Sequence, residues 1–208
     1  LKKHNNFKFL KCDISNWKDL KKIFEDFKPN KVVNLAAQAG VRYSIENPQS
    51  YITNNTQGFL NILNGCLLVK VENLTYASSS SVYGGNKKTP FSENDMVQNP
   101  ISFYAVSKLS NELMASTFNH LYGLKTIGLR FFTVYGPWGR PDMAMYIFAK
   151  KIIEGHKIPV FNNGNMKRDF TYIDDIVSGT VKAIYSDCSL EVFNLGNSKV
   201  ENLLDMIN

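Results

Sequence analysis

Cysteine is scarce in this chain. Cys12, Cys66 and Cys188 are far apart and odd in number. That argues against a disulfide framework and against zinc-type spacing, and it fits a reducing compartment, so a cytoplasmic location is expected. Histidine is as sparse, with only the scattered His4, His120 and His156, and no metal site is expected. No apolar run is long enough to cross a membrane and no signal peptide is visible, so no membrane partner is expected. The formal charge is +6, and much of the excess lies between Lys2 and Lys31, where it reads as a solvated face. A basic stripe interleaved with aromatics is missing, so nucleic acid is not expected as a partner. Repeats and low-complexity tracts are absent.

The chain has 208 residues, 44% of them hydrophobic, enough for a globular domain with a real core. It opens on Leu1 rather than Met. Residues Ser198 to Asn208 read as a helix just starting, with Ser198 as its cap. The chain is therefore expected to be an internal piece of a longer protein.

Strand patterns at Phe7–Leu10, Lys31–Ala37, Leu74–Ser78, Lys125–Phe131, Ile158–Phe161, Phe170–Ile173 and Glu191–Leu195 alternate with helical patterns. Helices are expected at about Asn16–Phe27, Gln49–Val69, Phe103–Tyr122 and Met143–Glu154, with another running from an Asp174 cap to about Tyr185. The alternation gives the fold class α/β, a doubly wound parallel, Rossmann-like sheet with parts of a smaller lobe.

Chemistry concentrates between Ser78 and Lys108. An apolar strand runs out into Ser78-Ser79-Ser80-Ser81-Val82-Tyr83-Gly84, and Tyr104-Ala105-Val106-Ser107-Lys108 follows. Residues four apart share a helix face, so Lys108 sits beside Tyr104. A nearby ammonium favours the phenolate of a tyrosine whose ordinary pKa is about 10, which would tune Tyr104 as a general base. Ser79 or Ser80, at a strand's carboxyl end, stands where open α/β sheets bind ligands. The chain has only four arginines, and Arg130, Arg140 and Arg168 fall in otherwise notable segments. Arginine in a lysine-rich chain points to bidentate contacts with phosphate or carboxylate.

Together, the serines and the Tyr-x-x-x-Lys pair resemble the short-chain dehydrogenase/reductase superfamily. Ser-Val-Tyr-Gly and Pro100-Ile101-Ser102-Phe103-Tyr104 narrow the resemblance to its extended branch, the NAD-dependent epimerases and dehydratases of nucleotide sugars. The stretch Arg130-Phe131-Phe132-Thr133-Val134-Tyr135-Gly136-Pro137-Trp138-Gly139-Arg140-Pro141-Asp142-Met143-Ala144 is most similar to the UDP-glucuronate 4-epimerases.

The resemblance implies NAD as cofactor, with Asp13, Ile14, Leu35, Ala36, Ala37, Asn54, Tyr104, Lys108 and Phe131 near it. It implies Ser79, Tyr104 and Lys108 as catalytic residues. Ser79, Ser80, Ser81, Thr133, Arg140, Phe161 and Arg168 would meet a UDP-sugar, with Arg140 pairing a sugar carboxylate and Arg168 the diphosphate. The implied reaction is C4 inversion through a 4-keto sugar, with no net redox change, in a homodimer formed through the helices at 49–69 and 103–122. Residues 1–137 would form the NAD-binding domain and 138–208 mostly the sugar-binding lobe, with 168–196 partly returning to the main sheet.

Dehydratase and decarboxylase relatives place carboxylates where this chain has Ser80 and Ser81, so simple epimerisation is favoured. Another nucleotide-sugar epimerase, decarboxylase or dehydratase, such as a UDP-glucose 4-epimerase, is the alternative. A non-catalytic NAD-binding module is the second, disfavoured by the intact Tyr104 and Lys108. No Gly-x-Gly-x-x-Gly or Gly-x-x-Gly-x-x-Gly turn occurs in the chain. The resemblance therefore implies that the first strand–turn–helix unit lies upstream, and that this piece alone binds NAD poorly.

Overall fold

The computed structural model describes residues 4–160 and 164–207. In chain order it contains α1 (Trp17–Phe27), β1 (Lys31–Asn34), α2 (Tyr43–Glu46), α3 (Pro48–Tyr51), a π-turn (Ile52–Gln57) and α4 (Gly58–Leu68). Then come β2 (Asn73–Ser79), a 3₁₀ turn (Ser80–Tyr83), α5 (Phe103–Tyr122), β3 (Thr126–Phe131), β4 (Thr133–Tyr135) and α6 (Ala144–Ile153). The last elements are β5 (Lys167–Tyr172), α7 (Ile173–Ile184), β6 (Leu190–Leu195), β7 (Val200–Asn202) and α8 (Leu203–Ile207).

The main sheet is parallel, in the order β1-β2-β3-β6. The expected doubly wound α/β class is what forms. Its central strands carry side chains buried on both faces, among them Leu74, Tyr76, Ile127 and Leu129, which is why they read as apolar runs rather than alternating ones. The register aligns Ser79 of β2 with Phe131 of β3, and Phe131 with Leu195 of β6. The carboxyl ends of these strands therefore lie along one rim. A second, three-stranded sheet has the order β4-β5-β7.

The larger core lies between the sheet and α1, α4 and α5, and includes Leu20, Phe24, Phe59, Leu63, Cys66, Leu74 and Ala115. At Gly65 of α4, an added Cβ would stand 2.5 Å from the Phe24 ring, so only glycine lets α1 and α4 approach this closely. Asn16 caps α1 by accepting from the Asp19 amide.

Several expectations are corrected. Phe7–Leu10 is not a strand: the segment forms no regular element, and Phe9 is 63% exposed. β character needs a hydrogen-bonding neighbour, and the apolar pattern alone does not supply one. The helix expected at 49–69 is interrupted by the π-turn around Asn54 and Asn55. Residues 158–160 form no strand, and Phe161 lies outside the described residues. Asp174 does not cap α7. The helix begins at Ile173 with Tyr172 at the cap position, and Asp174 and Asp175 fall in its first turn, where carboxylates favour the helix dipole. Ser198 caps nothing. Its φ of +56° is left-handed, and residues Val200–Asn202 pair antiparallel with β5 before α8 begins.

Candidate active site

The strand-end rim gathers the chemistry expected of it. Ser102 starts α5 by accepting from the Ala105 amide at 3.1 Å, which fixes where Tyr104 emerges. Tyr104, Lys108 and Glu112 then recur at intervals of four along one helix face. At the end of β2, Ser79 accepts from the Ser81 amide at 3.2 Å and its hydroxyl lies 3.1 Å from that of Ser81. The turn Ser80–Tyr83 thus keeps Ser79, Ser80 and Ser81 together. Gly84 closes it with φ +54°, packed so closely on the Asn99 carbonyl that no Cβ fits.

Burial is the largest influence on the Tyr104 phenol and raises it above its ordinary 10.0, while a Ser79 hydrogen bond and the Arg140 charge pull it down. The Lys108 ammonium stands over the Tyr104 ring, 5.9 Å from its centroid, and donates to the Ala77 carbonyl at 2.8 Å. A buried cation turns to the nearest available acceptor, which here is strand backbone. Desolvation pushes Lys108 down from 10.5 to about 8.

Arg140 is itself engaged. Its Nε donates to Asp142 Oδ1 at 2.9 Å and its Nη2 to Oδ2 at 2.6 Å. Arg130 is a residue of β3 turned to the interior. It is buried and grips Glu112 with Nε at 2.9 Å and Nη2 at 2.8 Å, while Nη1 donates to the Tyr83 hydroxyl at 3.0 Å. The bidentate contact foreseen for arginine is real at Arg130, but its carboxylate is the protein's own. Arg168 is exposed on β5 and donates to the Lys167 carbonyl at 2.8 Å. Thr133 is half-buried at the start of β4, two residues beyond Phe131.

Leu35, Ala36 and Ala37 follow β1, with Leu35 and Ala36 exposed. Asp13 is exposed and accepts from the Ser15 amide and hydroxyl, which hold its carboxyl below the usual range. Asn61 pins this turn by donating to the Ile14 and Ser15 carbonyls at 2.9 and 3.0 Å. Asn54 turns to its own helix, donating to the Ser50 carbonyl at 2.8 Å.

Its neighbour Asn55, which sequence reasoning passed over, is buried and organises the site. It accepts from the Gln38 amide at 2.7 Å and donates to the Gln38 carbonyl at 3.0 Å and to Ser107 Oγ at 2.9 Å. Asn111, oriented so that its amide nitrogen donates, meets the Asn55 and Ser107 carbonyls at 3.0 and 3.1 Å. The π-turn brings Asn55 inward, so the loop after β1 and the Tyr104 helix are bolted to one side chain. The Asn pair within a helical pattern was the available signal. Glu112 and Asp142 were also missed; the first was readable as one turn beyond Lys108, the second as a carboxylate beside Arg140.

These features, a parallel sheet with Ser79, Tyr104 and Lys108 at its carboxyl rim, are an arrangement of the short-chain dehydrogenase/reductase kind. The family described as NAD dependent epimerase/dehydratase matches residues 1–196, and the chain belongs to it. An uncharacterized protein of Methanocaldococcus jannaschii is 56% identical over 207 residues, covering 100% of this chain and 64% of that protein. UDP-glucuronate 4-epimerase 4 of Arabidopsis thaliana is 47% identical over 212 residues, covering 94% of this chain and 48% of that one. Among solved structures, the UDP-glucuronic acid 4-epimerase of Bacillus cereus, in complex with UDP-glucuronic acid and NAD, superimposes with a TM-score of 0.91 at 38% identity, covering 98% of this chain and 64% of that one. The chain thus spans from about half to two thirds of the length of these relatives. Among the described residues no helix is long and apolar enough to cross a membrane, and no cluster of metal-ligating side chains occurs.

Proposed function

We propose that the protein catalyses NAD-dependent inversion at C4 of a UDP-sugar, converting UDP-glucuronate to UDP-galacturonate. The observation that carries this reading is the meeting at the strand rim of Ser79, which ends β2, with Tyr104 and Lys108 on one face of α5, where Lys108 reaches the Ala77 carbonyl of β2 at 2.8 Å, and with Arg140 beside the Tyr51 whose ring packs on Tyr104. A hydroxyl, a phenol and a guanidinium there match the needs of an alcohol to be deprotonated beside a carboxylate. The relatives that bear the name UDP-glucuronate 4-epimerase support the substrate.

The donor set fits NAD. Lys108 is buried and desolvated yet has one hydrogen bond to backbone among its three N–H donors, which suits a hydroxyl-rich ligand laid across β1–β3. Leu35, Ala36, Ala37, Asn54, Tyr104, Lys108 and Phe131 would hold it, with Asp13 and Ile14 meeting its adenine. When bound, the cofactor would supply a reversible hydride acceptor for C4, so no net oxidation would result.

Tyr104 takes the proton of the C4 hydroxyl as general base and gives it back as general acid. A positive charge beside it, from Lys108, Arg140 and the cofactor ring, would oppose the effect of burial on the phenol. Ser79 accepts or donates at the same oxygen. Arg140, Ser80, Ser81 and Thr133 hold the sugar carboxylate, which restrains a 4-keto uronic acid from losing carbon dioxide. Arg168 and Phe161 belong to the same reading as the diphosphate and uracil contacts. Activity as a homodimer in the cytoplasm completes it; the exposed Val106, Leu113 and Leu121 of α5 support the helix-mediated contact.

The test uses the full-length protein with UDP-glucuronate and NAD, with products separated and weighed by mass spectrometry. UDP-galacturonate of unchanged mass is expected, and Tyr104→Phe should lower the rate at least about a hundredfold. Turnover of neutral UDP-sugars alone refutes the substrate. Loss of carbon dioxide or water refutes simple epimerisation, and a Tyr104→Phe variant with wild-type rates refutes the mechanism.

A further inference from the structure

The cation expected to meet the substrate's acid group is already holding a carboxylate. Arg140 presents its Nε–Nη2 edge to Asp142 in a two-point contact of 2.9 and 2.6 Å. The pair stands at the mouth of the site. Arg140 Nη2 and Asp142 Oδ2 both come within 4.0 Å of the place where a Cβ on Gly40 would be, and the Tyr51 hydroxyl is 3.9 Å from the same point. Tyr51 packs edge-on against Tyr104 with ring centroids 6.1 Å apart. Asp142 is two residues from Arg140 on one exposed loop, so letting go requires side-chain rotation only. The two side chains are 45% and 60% exposed, so a released Asp142 is rehydrated at little cost.

We propose that Asp142 is an internal stand-in for the substrate's carboxylate: it balances Arg140 until an acidic sugar displaces it, and so sets how strongly the site prefers acidic over neutral UDP-sugars. This rests on the proposed contact between Arg140 and the sugar carboxylate. The physical content is an exchange of one carboxylate for another on the same guanidinium edge. An acidic substrate must compete with Asp142, which weakens its binding. A neutral sugar leaves the Arg140–Asp142 pair closed and so leaves no cation unpaired beside the sugar. Asp142 thereby lowers the preference for acidic substrates below what Arg140 alone would give. Arg140 holds the Asp142 carboxyl below its ordinary range, as expected of an intact pair. Asp142 is a positioning and selectivity residue in this account, since it acts through Arg140.

The experiment measures binding of UDP-glucuronate and UDP-glucose to the full-length, NAD-loaded protein by titration calorimetry, in the wild type and in Asp142→Asn. The variant keeps the shape and an acceptor oxygen but removes the charge. The ratio of affinities, UDP-glucuronate over UDP-glucose, should rise about two- to fivefold, the scale of an exposed ion pair. The gain should shrink in high salt. An unchanged or lower ratio overturns the proposal, and a lower one means that Asp142 serves only to aim Arg140. Failure of the underlying substrate reading looks different: the wild type itself would then show no preference for UDP-glucuronate over UDP-glucose.

Discussion

Glu112→Gln should unfold this protein more easily than its single-atom change suggests. Glu112 lies one turn beyond Lys108 and receives three hydrogen bonds, from Ser78 Oγ, Arg130 Nε and Arg130 Nη2. The side chains of Arg130 and Glu112 are 4% and 8% exposed. Burial works against the Arg130 charge, but the Glu112 and Tyr83 contacts together offset it and raise the guanidinium above its usual value. Glutamine retains the shape and one acceptor, yet leaves a buried guanidinium without a counter-charge. Removing one partner of such a pair costs about 3–5 kcal/mol. With about 2 kcal/mol per molar urea for a small domain, the unfolding midpoint should fall by about 1.5–2.5 M. The double variant Glu112→Gln/Arg130→Met removes the stranded charge and should recover at least half of the loss. A single variant within about 1 kcal/mol of wild type, or a double variant less stable than the single, would show that the charge is solvated in a way its burial does not suggest.

Lys108→Met should change stability in a pH-dependent way. Below pH 8 the lysine is charged in both the folded and unfolded states, and the folded state carries the desolvation. Between about 8 and 10.5 the folded protein releases the proton while the unfolded chain keeps it, so stability rises with pH. The wild type should therefore gain about 3 kcal/mol relative to Lys108→Met between pH 7 and 10.5 in urea unfolding; a flat difference refutes the depressed lysine. Asn55→Ala should leave the Gln38 amide and carbonyl unpartnered, costing about 1–3 kcal/mol. Hydrogen exchange at Gln38 should accelerate selectively, and unchanged protection there would show that Asn55 does not hold the loop.

The sequence by itself determined a good deal here. Apolar runs between helical periods dictate a parallel sheet, because strands covered on both faces need no polar side. The Ser102 cap and the Gly123 exit delimit α5, so the placement of Tyr104, Lys108 and Glu112 on one face follows from spacing alone. The serine turn was readable for the same local reason. Pairing was decided only in three dimensions. Phe7–Leu10 has strand-like residues, but strand structure is a property of two chains side by side. Lys108 is one turn from Tyr104 in any helix, yet its ammonium goes to the Ala77 carbonyl because the strand passes beneath it. Asn55 rather than Asn54 turns inward because a π-turn shifts the helical phase, which no 3.6-residue pattern encodes. Arg130 and Arg140 look alike in sequence. Folding buries the first against Glu112 and leaves the second at the rim with Asp142. Side-chain types and short-range spacing are local and survive in the sequence. The partner of a charge is whatever the fold brings within about 3 Å of it, and only tertiary structure chooses that.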